Sequence, residues 1–110
     1  MPFHPRQNRQ TLDKIAGVFR TLSEPTRLAI IQELKEGPQT VGALVETLDL
    51  SQANVSKQLR ILFEAGFLSR EKDRTQVRYA ISDDMVMPLC ELVCKRLNRR
   101  VREQMPHYAI

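Results

Sequence analysis

Two short amphipathic stretches stand out in the alternation of apolar and polar positions, and both lie between Thr40 and Leu68. In the first, Val41, Leu44, Val45 and Leu48 share one side of a helix with a period of about 3.6 residues. In the second, Val55, Leu59, Leu62 and Phe63 recur at i, i+4, i+7 and i+8, again a single stripe. Thr40 comes after the Gly37-Pro38 stop as a candidate N-cap, and Ser51 stands in the same position before the second stretch. Each hydroxyl can accept from an orphan backbone N–H. Gly66 comes where a left-handed residue is wanted to end a helix. The pattern predicts two helices broken by a tight polar turn. Opposite its apolar stripe the second helix carries Ala53, Lys57 and Arg60. Small, polar and basic groups on such a face suit the major groove of DNA, which admits a helix and displays a distinct pattern for each base pair. The spacing is that of a helix-turn-helix. It is equally that of a plain antiparallel helix pair in a small bundle.

Charge separates these readings. The chain has 17 Lys and Arg against 13 Asp and Glu, a formal charge of +4. Residues 23–50 hold two basic and five acidic side chains, for −3. Residues 51–78 hold six basic ones (Lys57, Arg60, Arg70, Lys72, Arg74 and Arg78) against three acidic, for +3. Positive charge collects on the second helix and the segment after it, as a polyanion-binding surface requires.

The flanking pattern completes the fold. Leu12, Ile15, Ala16, Phe19 and Leu22 make a helical stripe. Pro25 suits the first turn of another helix, where its missing N–H costs little, and Leu28, Ile31 and Leu34 carry that stripe to Gly37. After the basic helix, Phe67–Lys72 and Val77–Ile81 read as strands, with Val77, Tyr79 and Ile81 alternating. The Asp73–Gln76 turn between them contains no Gly, which predicts a loop longer than two residues. A last helix is expected near Asp84, with Pro88 in its first turn, running through Val86, Leu89, Cys90, Val93, Cys94, Leu97 and Val101. The fold class expected is mainly α: four helices, a two-stranded β wing and a fifth, C-terminal helix, a winged helix-turn-helix. One domain is expected over 11–104, with a flexible arm over 1–10 and a tail over 105–110.

Composition narrows the function. Hydrophobic residues make up 42% and aromatics 5%, so the core is aliphatic and thin, and pairing of two copies would bury more apolar surface. First and last helices together form the expected homodimer face; alternatively they close a monomer core. Four Gly and no Gly-rich phosphate loop, Ser elbow or His beside a carboxylate or Cys argue against an enzyme or a bound cofactor. No apolar run is long enough for a membrane span and no signal peptide is evident. A cytoplasmic protein with reduced cysteines is expected.

Three motifs then point to a family. Leu22-Ser23-Glu24-Pro25-Thr26-Arg27-Leu28-Ala29-Ile30-Ile31, Ser51-Gln52-Ala53-Asn54-Val55-Ser56-Lys57-Gln58-Leu59, and Glu64-Ala65-Gly66-Phe67-Leu68 resemble the ArsR/SmtB winged helix-turn-helix repressors. The likeness runs from about Leu12 to Leu97. It implies a homodimer that binds an imperfect palindrome in double-stranded operator DNA and leaves it when an inducer arrives. The inducer-site patterns of that family are missing. Thr40 and Gly42 stand where its metal-binding Cys pair would be. Asp83 matches one zinc ligand, but Met85, Arg96 and Arg99 fill the other slots, and Arg cannot ligate zinc. Gln32 takes the place of a sulfur-sensing Cys.

These readings define a candidate site. Gln52, Ala53, Asn54, Ser56, Lys57 and Gln58 are expected in or beside the major groove, with Ser51 and Arg60 near phosphates. The amides of Gln52 and Asn54 suit adenine edges and Lys57 suits guanine. Lys72 and Arg74 on the hairpin are expected to touch phosphates. Cys90 and Cys94, one helical turn apart, share a face. They either sense thiol oxidants or a soft metal across a dimer axis, or pack as small hydrophobes between Leu89, Val93 and Leu97. His4 and His107 are expected at the surface. A winged helix serving as a protein-interaction module is the alternative to a DNA-binding regulator, as is a regulator with no sensing site of its own.

Overall fold

The apolar stripes and their caps set the element boundaries. The computed structural model describes residues 5–101 and 108–109, leaving aside the side chains of 5–7 and 101. In chain order the elements are α1 (Pro5–Leu22), α2 (Pro25–Leu34), β1 (Gln39–Thr40), α3 (Val41–Leu48), α4 (Gln52–Glu64), β2 (Leu68–Asp73), β3 (Gln76–Ile81) and α5 (Val86–Val101).

Each predicted cap is in place. The Thr40 hydroxyl accepts from the Ala43 N–H at 3.1 Å, and Ser51 Oγ accepts from the Asn54 N–H at 3.1 Å. Pro25 opens α2, and the Glu24 carboxylate before it accepts from the Arg27 N–H at 3.2 Å. At the end of α4, Gly66 takes φ +88. The Gly66 N–H reaches the Phe63 carbonyl and the Phe67 N–H the Leu62 carbonyl, each at 3.0 Å. That pair of bonds, with Leu62 and Phe67 both buried, is a Schellman motif, and it fixes the angle at which the chain leaves the helix. Between α3 and α4 the chain turns at Asp49, whose φ of 54 is left-handed, a conformation Asp tolerates better than most residues.

The core gathers beneath α4. Ile30 and Ile31 from α2, Leu44 from α3, Val55, Leu59 and Leu62 from α4, and Val86 at the start of α5 are completely buried. Leu68 and Tyr79 seal it from the sheet.

Three expectations change. The sheet has three strands in the order β1-β3-β2, all antiparallel, because Gln39 and Thr40 pair with Tyr79 and Arg78. A two-residue strand has no room for a periodic signal. The hairpin turn is shorter than expected: Asp73 pairs with Gln76, leaving only Arg74 and Thr75 between the strands. Arg74 supplies the positive φ, at 60, that Gly ordinarily supplies at the first position of such a turn. The third concerns the flexible arm over 1–10: the chain is helical from Pro5 onward. Pro is tolerated in a first turn, and the Arg and Gln residues after it are good helix formers. The polar stretch therefore extends α1, with Arg9 Nε and Asp13 Oδ1 3.3 Å apart on its surface. Met1–His4, Arg102–His107 and Ile110 lie outside the described residues, so His4, His107 and most of the 105–110 tail do too. Tyr108 is described: its N–H and carbonyl bond with the side-chain amide of Asn98 at 2.6 and 2.9 Å.

Candidate nucleic-acid interface

Helix α4 is divided along its length. Val55, Leu59 and Leu62 are sealed in the core, while Ser51, Gln52, Ala53, Lys57 and Arg60 are on its outer side, and Asn54 and Ser56 flank the stripe. The wing continues the exposed side, with Lys72 at the end of β2 and Arg74 at the tip. Among the described residues, Lys57, Arg60, Lys72 and Arg74 meet no carboxylate of their own chain. Their charge is free for another partner.

Wing and helix are joined by a contact the sequence did not announce. The Arg70 guanidinium lies 4.0 Å from the centroid of the Phe63 ring, a cation–π contact between β2 and the last turn of α4. Arg70 counts toward the basic segment, yet it is occupied in fixing the wing against the helix. Beside it the Ser82 N–H reaches the Phe67 carbonyl at 3.0 Å, closing the base of the hairpin.

Gln58 departs from its expected place. It is only 8% exposed and lies on the inner side of α4. Its Oε1 accepts from Arg27 Nη1 at 2.8 Å, and its Nε2 donates to Asn54 Oδ1 at 3.1 Å. Three residues after Val55, it falls between the exposed face and the stripe. A buried amide needs partners on both atoms, and Arg27 and Asn54 supply them. Gln58 therefore leaves the groove-facing set.

Arg27 was missed as a functional residue. Besides Gln58, its Nε donates to the Thr21 carbonyl at 2.6 Å and its Nη2 to the Arg20 carbonyl at 3.4 Å. These carbonyls belong to the last turn of α1, where the helix dipole favours a cation; the Arg20 carbonyl also accepts from the Ser23 N–H and hydroxyl. The signal was present in α2: the run Pro25–Leu34 is otherwise aliphatic or polar and uncharged up to Glu33, so a cation at Arg27 asks for a partner.

The other candidate site lies between the outer helices. Cys90 is buried and Cys94 partly so. Both line an apolar groove of about 500 Å³ between α1 and α5, together with Phe19, Leu28, Leu97 and Tyr108. Burial pushes the Cys90 thiol above its ordinary pKa, and repulsion from Cys94 and Glu91 adds to the shift. A raised pKa keeps the thiol protonated near neutrality, whereas oxidant chemistry and metal ligation use the thiolate. Among the described residues no group of three or more His, Cys, Asp or Glu is placed to hold a metal ion. No described helix is long and apolar enough to cross a membrane.

Comparison with known proteins agrees with this geometry. Residues 22–71 match the model of a helix-turn-helix domain family. The chain is 36% identical over 80 residues to a probable mercury resistance operon repressor of Streptomyces lividans, covering 73% of this chain and 64% of that one. It thus spans just under two thirds of that relative's length. A biofilm growth-associated repressor of Agrobacterium fabrum is 32% identical over 91 residues, covering 83% of this chain and 76% of that protein. Among solved structures, a winged helix-turn-helix DNA-binding domain from Mycobacterium bovis, described as a possible ArsR-family regulator, superposes with a TM-score of 0.80 at 23% identity. The match covers 98% of this chain and 100% of that one, and establishes the common fold.

Proposed function

The chain belongs to the ArsR/SmtB family of winged helix-turn-helix transcriptional regulators, and from that premise we propose that it is a homodimeric repressor that lays α4 of each subunit in the major groove of its operator. One observation carries the reading: α4 buries Val55, Leu59 and Leu62 completely while Gln52, Lys57 and Arg60 stand on its outer side, and the unpaired cations continue onto the wing. A recognition helix reads with the residues near its N-terminus, which here are Gln52, Ala53, Asn54, Ser56 and Lys57. Ser51, Arg60, Lys72 and Arg74 are suited to the flanking phosphates. A protein-interaction module would have no need of free cations on both helix and wing. The relatives reported above are named as repressors, which supports a regulator.

Dimerisation is motivated by the faces the chain leaves uncovered. Leu12, Ile15 and Phe19 on α1 and Leu92, Val93 and Leu97 on α5 are exposed. A second copy covering these faces would hide a patch that an isolated soluble chain rarely shows. Cys90 and Cys94 would then sit within the dimer layer as packing groups. The test is a mobility shift with duplexes tiling the gene's own promoter, titrated with salt and with unrelated competitor. Retention of one duplex at competitor levels that displace the others is the expected outcome. Equal displacement of all duplexes would overturn the reading.

A further inference from the structure

We propose that the relay Arg27–Gln58–Asn54 sets the base preference at one operator position, by holding Asn54 so that it offers its amide N–H groups rather than its oxygen. The inference rests on the DNA-reading role of α4 proposed above.

The chemistry of the three side chains fixes the orientation of both amides. A guanidinium only donates. Facing Arg27 Nη1 at 2.8 Å, Gln58 must therefore present Oε1. Its other atom is then Nε2, which also only donates, so the group it meets on Asn54 at 3.1 Å must be Oδ1. Oxygen and nitrogen of a carboxamide are often interchangeable by shape alone; here the donor at the head of the relay removes the ambiguity. Arg27 is held in turn by the Thr21 and Arg20 carbonyls. The polarity of the relay is built in.

The consequence falls on Asn54, in the first turn of α4 and half-buried. A free Asn suits adenine because Oδ1 accepts from N6 while Nδ2 donates to N7. With Oδ1 turned toward Gln58, Nδ2 is turned away from it, and among the described residues it meets no acceptor of the chain. Two N–H bonds on one nitrogen match an edge that shows acceptors only. In the major groove the edge with two such acceptors is guanine, through N7 and O6, whereas thymine shows one, O4. The adenine preference expected of Asn54 from its residue type is thereby turned toward guanine by a residue thirty-one positions away from Gln58 in the chain.

Gln58→Glu tests this, because it keeps the acceptor for Arg27 and removes the donor for Asn54. The new carboxylate repels Oδ1 and attracts Nδ2, so the Asn54 amide turns over and presents oxygen to the base. Wild type, Gln58→Glu, Arg27→Met, Asn54→Ala and the Asn54→Ala/Gln58→Glu double variant are each used to select from a pool of randomised duplexes, with thermal melting of each protein as a fold control. Wild type is expected to prefer guanine at one position per half-site by about tenfold. Gln58→Glu moves that position to a base with an exposed donor, adenine or cytosine, and Asn54→Ala abolishes both preferences. Arg27→Met, which frees Gln58 to turn either way, flattens the preference without reversing it. This second variant carries the test if Gln58→Glu melts too low to use. Identical base preferences in wild type and Gln58→Glu would overturn the relay, as would a switch that persists in the double variant. A wild type that selects no sequence at all would overturn the DNA-reading role itself, and the relay with it.

Discussion

Helices α4 and α5 carry similar apolar stripes and meet opposite fates. Along α4, Val55, Leu59 and Leu62 are wholly buried by residues of the same chain. Along α5, Val86 is buried and Cys90 nearly so, but Val93 remains 49% exposed and Leu97 39%. The difference lies in the neighbours. Helix α4 sits between α2, α3 and the sheet, whereas α5 beyond its first turns bonds Tyr108 through Asn98 and lines an apolar groove with α1 and Leu28. There Phe19 is itself 57% exposed. An amphipathic stripe states that a face must be covered, not by which chain. The apolar face of α4 is closed within one chain; the outer pair of helices keeps an uncovered one.

Truncation on the two sides separates these cases most sharply. Leu59→Ala removes a side chain buried within one chain. It is expected to cost about 2–5 kcal/mol of unfolding free energy, by lost transfer energy plus the cavity left behind. Phe19→Ala should cost an isolated chain little, since an exposed side chain away from special features moves stability by about 0.5 kcal/mol or less. Its effect should appear in association: covering a Phe is worth about 1.5–3 kcal/mol, so the dimer dissociation constant should rise by roughly 10–150-fold. Urea unfolding at several protein concentrations, with sedimentation, reads both quantities, because only linked dissociation makes the midpoint depend on concentration. If Phe19→Ala lowers stability as much as Leu59→Ala at every concentration, α1 belongs to the core of its own chain and the contrast fails.

The same division sets how far the sequence could be read. The caps at Thr40 and Ser51, the Pro25 start and the Gly66 stop are short-range signals, each satisfied within a few residues of backbone. They were legible, as was the buried stripe of α4. The pairing of Gln39 and Thr40 with β3 depends on residues nearly forty positions on, and two residues show no periodicity. The tight turn at Arg74 was hidden because absence of Gly argues against a positive φ, while the paired strands on either side impose it. The helix over Pro5–Gln10 was hidden by polarity, since a helical turn of polar residues leaves no apolar mark. In the candidate site Lys57 and Arg60 lie off the buried stripe, where charge and phase agree. Gln58 was misplaced because its amide is compatible with either side, and only Arg27, a contact across thirty-one residues, draws it inward.

Within the reading surface, helix and wing should differ in kind. Lys57→Ala is expected to weaken binding by about 1–3 kcal/mol and relax the preference at particular bases. Arg74→Ala should weaken all sequences alike, and the log–log salt slope should fall by about 0.9 for the lost phosphate contact. Titrations of specific and random duplexes over a series of salt concentrations give both slope and selectivity. A selectivity change on Arg74→Ala would place the wing tip in a groove, against bases. An unchanged slope would remove it from the phosphates.

The smallest expected effect lies at Cys90, where the stripe of α5 passes from covered to uncovered. Burial raises its pKa, with further repulsion from Cys94 and Glu91. The folded state therefore holds the proton more tightly than the unfolded chain does. Stability from this source is fully present below the thiol's ordinary value of 9.0 and declines as pH rises from there through the higher folded value. Other groups titrate in this alkaline range, so the measured quantity is the difference between wild type and Cys90→Ala in urea unfolding from about pH 8 to about pH 11. That difference should shrink with rising pH. Cys94→Ser should make the decline smaller, because removing one source of negative charge brings the folded value of Cys90 closer to the unfolded one. The same physics makes Cys90 slow to alkylate near neutrality in the folded protein and ordinary in urea. A flat difference across the range, with rapid alkylation of the native protein, would mean that Cys90 is an open, ionised thiol. The packing role of the two cysteines would then give way to the sensing one.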